Sequence, residues 1–163
     1  KVLLFLDVGG SMDPYVKKVE ELFSASRSVF KNLEYFYFHK LSTRWKDIDF
    51  FGHVNNATYL TYIENARIDL INQWEINSKI KSIIIASIKI DYLKQISHPK
   101  KLIIGQFISR IGNTSFDIKA DILSFDKKIL YAKTLATCVC FNYTLNSKLK
   151  VFEKIKADYN SNC

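Results

Sequence analysis

Between residues 55 and 74, apolar side chains recur at helical spacing, with Tyr59, Leu60, Ile63, Ala66, Leu70, Ile71 and Trp74 at i, i+3, i+4 and i+7 steps. Tyr62 and Ile68 widen this stripe over most of the circumference, which predicts a helix buried on several sides. Beyond it the period changes to two. Residues 83–93 are rich in Ile, and residues 102–110 run apolar up to a Gly112-Asn113 turn. Phe116, Ile118, Ala120 and Ile122 alternate with Ser115, Asp117, Lys119 and Asp121, and residues 129–141 place Tyr131, Leu135, Val139 and Phe141 on one face. Residues 151–159 predict a short closing helix. One buried helix followed by four long strands needs a further strand to start the sheet, and residues 35–45 can supply it. The pattern therefore predicts an α+β unit in which an antiparallel sheet of about five strands wraps one long central helix.

The first forty residues have a different pattern. Residues 2–6 are a continuous apolar run, as in a strand covered on both faces, and 7–11 form a polar loop. From Pro14, helical spacing recurs in Val16, Val19, Leu22, Phe23, Ser26 and Phe30, and alternating aromatics at 35–38 form a strand. This β-α-β piece precedes the larger unit.

Composition narrows the class. The chain has 163 residues, 48% apolar and 25% charged, which fits one ordinary globular domain with an appendage and excludes wholesale disorder. No uninterrupted apolar run reaches the length of a membrane span. The apolar start ends at Asp7 without a small-residue cleavage site, so a cytoplasmic protein is expected. The three cysteines, Cys138, Cys140 and Cys163, show no C-x-x-C pair or metal-ligand spacing and read as free thiols of a reducing compartment. Of the net charge of +8, residues 41–163 carry +7, which points to an anionic partner or a generic solubilising surface. No recognisable nucleic-acid-binding module accompanies that charge.

Candidate chemistry concentrates in residues 44–56, RWKDIDFFGHVNN, just before the helix start. Asn is a good N-cap, and the first helical turn exposes N–H groups without internal partners. An acid beside such donors can serve acyl transfer: the amides polarise a carbonyl while the carboxylate attacks or activates water. An Asx-rich turn that only caps the helix is the plainer alternative. Glu64 stands three residues before Arg67, so an i, i+3 ion pair is expected there. His98-Pro99 reads as a turn, and His39 has no assigned role.

The stretch RWKDIDFFGHVNNATYLTYIENAR resembles the signature of hotdog-fold acyl-CoA thioesterases of the 4-hydroxybenzoyl-CoA thioesterase-like group. The likeness continues through SIIIASIKIDYLKQI, RIGNTSFDIKADI and ILYAKTLATCVCFN, over about residues 36–145. It implies a hotdog fold and hydrolysis of a thioester to free acid and coenzyme A. The second acid of the D-x-D pair, Asp49, would be the catalytic carboxylate, with Asp47 in support. Gly52 and the helix start at Val54, Asn55 and Asn56 would cradle the thioester carbonyl, with His53 and Asn56 lining the same turn and Tyr59 one helical step beyond. Glu64 is the second candidate acid, by likeness to a related branch that uses a helix carboxylate. Arg110, Gly112, Asn113 and Ser115 match the family's R-x-G-x-x-S turn, whose neighbourhood contacts the CoA portion. The resemblance implies no metal or organic cofactor, with coenzyme A entering as part of the substrate, and a homodimer or homotetramer with sites at the interface. A non-catalytic module binding acyl-CoA or acyl-carrier protein on the same fold is the alternative.

Residues 1–39 resemble the opening of a CoxE-like von Willebrand factor A-type domain. In that family an acid and a hydroxyl after the first strand help to hold a divalent metal, and the matching positions are Asp7 and Ser11. Gly9 replaces the usual second Ser, and the family's later Thr and Asp loops do not follow. A hard cation wants about six oxygens and this fragment offers two, so Asp7 and Ser11 are vestigial candidates and a metal-dependent interaction domain is disfavoured. Residues 1–35 are read as a partial fragment joined in frame to a hotdog unit spanning 36–163.

Overall fold

The computed structural model describes residues 2–7 and 33–162, with side chains described for 37–161. The helix expected from Pro14, together with Ser11 and Cys163, lies outside the described residues.

The elements follow the polar and apolar pattern closely. Strand β1 (Val2–Asp7) precedes β2 (Leu33–Ser42), a 3-10 turn at Trp45–Asp47 and helix α1 (Asn56–Gln73). Strands β3 (Ser82–Tyr92), β4 (Lys101–Ile111), β5 (Ser115–Ser124) and β6 (Leu130–Asn142) complete the predicted set. A two-residue strand β7 (Ser147–Lys148) and helix α2 (Glu153–Asn162) follow. The sheet order is β1-β2-β4-β5-β6-β3, with β7 on the end of β6. All neighbours from β2 to β3 are antiparallel, and β1 adds to β2 in parallel. This is the hotdog arrangement expected from the sequence.

Helix α1 begins where the chain provides a cap: the Asn55 side chain accepts from the Ala57 amide at 2.9 Å. Its buried face carries Tyr59, Tyr62, Ile63, Ala66, Arg67 and Leu70. That face joins two apolar clusters. The first gathers Tyr59, Tyr62 and Ile63 with Leu102, Ile104, Ile122 and Ala132. The second gathers Leu70 and Trp74 with Ile108, Phe116, Ile118 and Cys138, and Val151 and Ile155 close it from the C-terminal segment. Asp158 of α2 pins that segment, accepting from Trp74 Nε1 at 2.9 Å and from the Tyr37 hydroxyl at 3.0 Å.

Two expectations need correction. The burial expected on several sides of the helix does not extend to Leu60 and Ile68, which are 38% and 46% exposed. The strand expected to reach Trp45 ends at Ser42, where the chain turns into the 3-10 segment.

Strict alternation also fails at three bulges, one of which leaves Tyr131 of β6 extra between the pairs Ile122–Ala132 and Leu123–Leu130. Ser109 is the extra residue between the pairs Ile108–Ile118 and Arg110–Asp117, and Ala86 is the extra residue between Ile85–Cys138 and Ser87–Thr137. Each bulge shifts the phase by one residue, so Arg110 stands opposite Asp117 on the face away from α1.

The domain division implies a test. A chain of residues 34–163 retains β2 through α2 and both apolar clusters. It is expected to give a single cooperative thermal transition with mixed helix and strand circular dichroism. Loss of the cooperative transition would make residues 1–33 part of the core.

Candidate active site

The loop between β2 and α1 is built around one buried carboxylate. Asp47 is 3% exposed and accepts from the Arg44 amide at 2.7 Å, from Arg44 Nη2 at 3.1 Å and from the Tyr62 hydroxyl at 2.6 Å. Its backbone carbonyl accepts from the Asn55 amide at 2.8 Å, which fixes the helix start against the loop. Burial alone would raise the carboxyl's pKa, but the hydrogen bonds from Arg44 and Tyr62 outweigh it and hold Asp47 below the usual carboxylate range. Burial, followed by the bond to Asp47, raises the Tyr62 phenol in turn. Asp47 therefore organises the loop, and its oxygens are already engaged.

Asp49 is placed differently. Its Oδ1 accepts from the amides of Phe51 at 2.9 Å and His53 at 3.1 Å, which orients the carboxylate. Its own amide donates to the His53 carbonyl at 2.8 Å, and its carbonyl accepts from Gly52 at 3.1 Å. Gly52 has φ +79°, a left-handed conformation that the closing of this turn requires and that side chains disfavour. The Oδ2 oxygen has no hydrogen-bond partner among the described residues. Asp49 is half-buried, so this second oxygen is available to a ligand.

The expected cradle of amides is narrower than the sequence implied. Val54 donates to the Ile96 carbonyl at 2.8 Å and Asn55 to the Asp47 carbonyl, so neither amide is available. Ala57 and Thr58 donate to the side chain and carbonyl of Asn55. The Asn56 N–H alone in this turn has no acceptor among the described residues. The Tyr92 hydroxyl donates to the Asn56 carbonyl at 3.1 Å and ties this residue to the end of β3.

The remaining candidates divide by position. Asp47, Asp49, Gly52, His53 and Asn56 share one loop, held to residues 96–97 by the His53–Ser97 bridge and the Val54–Ile96 bond. Tyr59, one helical step beyond the turn, is buried in the first cluster, its hydroxyl donating to the Lys94 carbonyl at 3.4 Å. Glu64 is exposed on α1 and shares no hydrogen bond with the loop. The ion pair expected between Glu64 and Arg67 does not form, because Arg67 turns into the core while Glu64 faces solvent.

Arg110, Gly112, Asn113 and Ser115 lie at the opposite end of β4. Lys100, at its near end, pairs with Thr43, and ten residues at about 3.3 Å each put the turn roughly 30 Å away. The Arg110 guanidinium is engaged by Asp117, at 2.6 Å from Nε and 2.9 Å from Nη2. A Cβ on Gly112 would lie 3.0 Å from Arg110 Nη1 and 3.1 Å from the Ser115 carbonyl, a close approach that explains the glycine. Within one chain this turn and Asp49 are not brought together.

The pattern of polarity did not reveal the Arg44–Asp47–Tyr62 cluster, which closes over fifteen residues. It also missed the aromatic rim of the loop: Trp45, Phe50 and Phe51 are 81%, 97% and 79% exposed. The signal was present as apolar residues in a segment with no period. Arg44, Lys46 and Lys94 accompany this rim with exposed positive charge. His98, read as a turn residue, accepts or donates at Nδ1 with the Thr43 hydroxyl at 2.9 Å and packs on Trp45. His39 bonds Asp69 at 2.6 Å, between β2 and α1.

A cavity of about 560 Å³ lined by Trp74, Ile76, Lys81, Lys150 and Phe152 lies at the far end of α1 from Asp49. Burial pushes the Cys138 thiol up to about 12 and raises that of Cys140, so neither is a ready nucleophile at neutral pH. No group of three or more His, Cys, Asp or Glu among the described residues could hold a metal ion. No described helix is long and apolar enough to cross a membrane.

Residues 43–158 match the profile of the thioesterase-like superfamily. YsmA of Bacillus subtilis is 33% identical over 84 residues, covering 50% of this chain and 57% of YsmA. The match thus spans little more than half the length of that relative. Among solved structures, the PA2801 protein of Pseudomonas aeruginosa superposes with a TM-score of 0.70 at 24% identity, over 74% of this chain and 95% of its own. Slr0204, a 1,4-dihydroxy-2-naphthoyl-CoA thioesterase from Synechocystis, gives a TM-score of 0.69 at 13% identity, over 77% and 95%. At these identities the structures show a shared fold.

The buried carboxylate gives a prediction. Asp47→Asn removes the charge from the carboxylate that Arg44, through its amide, Nε and Nη2, and the Tyr62 hydroxyl all donate to, and is expected to cost about 1–3 kcal/mol in denaturant unfolding. Because the folded pKa of Asp47 is depressed, its contribution is complete above the ordinary carboxylate value and is lost as pH falls through the folded one. The stability gap between wild type and Asp47→Asn should therefore be full near neutral pH and narrow below about pH 4. A gap independent of pH would assign the effect to packing.

Proposed function

Because this chain belongs to the thioesterase-like superfamily, we propose that it is an acyl-CoA thioesterase and that Asp49 is its catalytic carboxylate. The observation that carries this reading is the division of labour on one loop. Asp47 is saturated and structural, whereas Asp49 is fixed through Oδ1 and open at Oδ2, on the loop that leads into the one unengaged amide of the helix start.

With a thioester carbonyl at this turn, the Asn56 N–H accommodates the charge that develops on the carbonyl oxygen, where the positive end of α1 also acts. Asp49 Oδ2 either removes a proton from water as that water adds to the carbonyl carbon, or adds to the carbon itself. In the first route the tetrahedral intermediate expels the sulfur as the C–S bond breaks, and the thiolate takes up the proton. In the second route the C–S bond breaks to release the thiolate, and water then cleaves the resulting anhydride and supplies the proton that the thiolate takes up. Both end in a free acid and coenzyme A, without a metal or organic cofactor. Arg44, Lys46 and Lys94 around the loop are suited to meet CoA phosphates. The position of the Arg110 turn at the far end of β4 from the loop fits a homodimer or homotetramer, in which that turn reaches the site of another copy. The buried free thiols favour a reducing, cytoplasmic setting.

The test is turnover of acyl-CoA by the purified protein, read with a thiol-reporting dye across a series of acyl chain lengths. Asp49→Asn and Asp49→Ala are expected to lower kcat by about 10²–10⁴-fold. Retention of wild-type turnover in both would remove Asp49 from the chemistry. Binding of acyl-CoA without release of thiol by the wild type would instead mark a non-catalytic module.

A further inference from the structure

The tip of the Asp49 loop is composed against the habits of turns. The Gly52 amide donates to the Asp49 carbonyl at 3.1 Å and closes a four-residue turn whose two central residues are Phe50 and Phe51. Such positions favour Gly, Asn, Asp, Ser or Pro, and the backbone of this turn calls for no aromatic ring. Packing does not call for one either. Phe50 is 97% exposed, and its ring meets only that of Phe51 among the described residues, with centroids 5.6 Å apart. The Asp49 carboxylate, accepting from the amides of Phe51 and His53, braces the turn from which both rings project.

Trp45 joins them at the same end of the molecule. It packs on His98, whose neighbour Ser97 bridges His53 beside the turn, and it too is largely exposed. The free charge around these rings is mostly positive. Lys46 and Lys94 are exposed and form no ion pair among the described residues. Of the two acids of the loop, Asp47 is buried and engaged by Arg44 and Tyr62, so only Asp49 reaches solvent. The +7 carried by residues 41–163 adds a long-range attraction to an anionic surface.

Exposed Trp and Phe with Lys beside them is the composition of a surface that lodges between lipid headgroups and acyl chains. There the rings leave water while the ammonium groups stay among phosphates. A protein partner fits less well. Three protruding side chains cannot supply the roughly 800 Å² a side that a stable protein interface buries. A lipid surface parts around them and needs no matching pocket. We propose that the rim of Trp45, Phe50 and Phe51, with Lys46 and Lys94, docks the protein peripherally on an anionic lipid bilayer. An acyl-CoA is itself an anionic amphiphile, so docking sets the Asp49 loop where such a substrate collects. That consequence rests on the proposed thioesterase reaction; the docking does not, and it is read without substrate.

Tryptophan emission reads the docking directly. The chain has two tryptophans, and Trp74 is 5% exposed and bonded to Asp158, so a change of environment falls on Trp45. With vesicles of equal parts phosphatidylglycerol and phosphatidylcholine, the full chain is expected to sediment with the lipid and to shift its emission to the blue. Phosphatidylcholine brominated along its acyl chains should quench that emission in the same vesicles. Phe50→Ser combined with Phe51→Ser lies outside the core and should lower the partition coefficient about tenfold or more. Lys46→Glu combined with Lys94→Glu should lower it about a hundredfold. A wild type that neither sediments with these vesicles nor shifts its emission overturns the docking without any variant. Binding undiminished in the Phe50→Ser, Phe51→Ser variant overturns it too, because charge alone then accounts for it. Self-association that this variant abolishes, with no vesicle binding by the wild type, assigns the rim to a second copy and equally overturns it. Vesicle binding without thiol release supports the docking and counts against the thioesterase reading alone.

Discussion

The arrangement of the loop and the helix depends on a carboxylate that is almost wholly withdrawn from solvent. Asp47 receives Arg44 from before the 3-10 turn and Tyr62 from the second turn of α1, and its carbonyl takes the amide of the capping residue. An anion in such a position persists only if several donors converge on it. Satisfying Asp47 therefore fixes, at once, how the chain leaves β2, where α1 begins and which face of α1 meets the sheet. Asp49, two residues later, inherits a set position from this constraint without contributing to it. The loop can thus hold one carboxylate with an uncommitted oxygen because its neighbour carries the structural demand.

A second constraint runs through the middle of the molecule. Gln106 and Thr134 interrupt the apolar face of the sheet between the two clusters, and both turn their hydrogen bonds onto backbone carbonyls, one of α1 and one of β5. A helix lying on a purely apolar sheet can slide with little loss, whereas a side-chain amide bonded to the Ala66 carbonyl fixes its height along the strands. Arg67 belongs to the same layer, where its Nη1 and the Oε1 of Gln106 are both enclosed without a hydrogen-bond partner.

Much of this was legible in the residues. The helix at 55–74 and the four following strands were visible as a change of period from 3.6 to two, and the structure places α1 and β3 to β6 within a few residues of them. Period sees only which side of an element is apolar, however, and it reads long-range closure poorly. It assigned Leu60 and Ile68 to the interior, and it set Glu64 with Arg67 by spacing alone, whereas the sheet draws Arg67 inward. The loop was legible as a motif, but the difference between Asp47 and Asp49 was not, since it depends on Tyr62 fifteen residues away. The loss of the Val54 and Asn55 amides was equally hidden, because their acceptors belong to Ile96 and Asp47.

The single extra residues Ser109 and Ala86 carry a meaning for how this chain can change. In a strand, inside and outside are a two-letter code read one residue at a time, and each bulge is a skipped beat in that code. With Ser109 in place, Arg110 reads as outside and meets Asp117, which also accepts from the Thr137 hydroxyl, on the far face. Remove that one residue and the same sequence reads Arg110 as inside and Ile111 as outside. Removing Ala86 would likewise invert the residues of β3 beyond it. Substitution along these strands is graded by size and polarity, but a change of length by one inverts everything downstream. The lengths of β3 and β4 are therefore more tightly constrained than the identity of most residues within them.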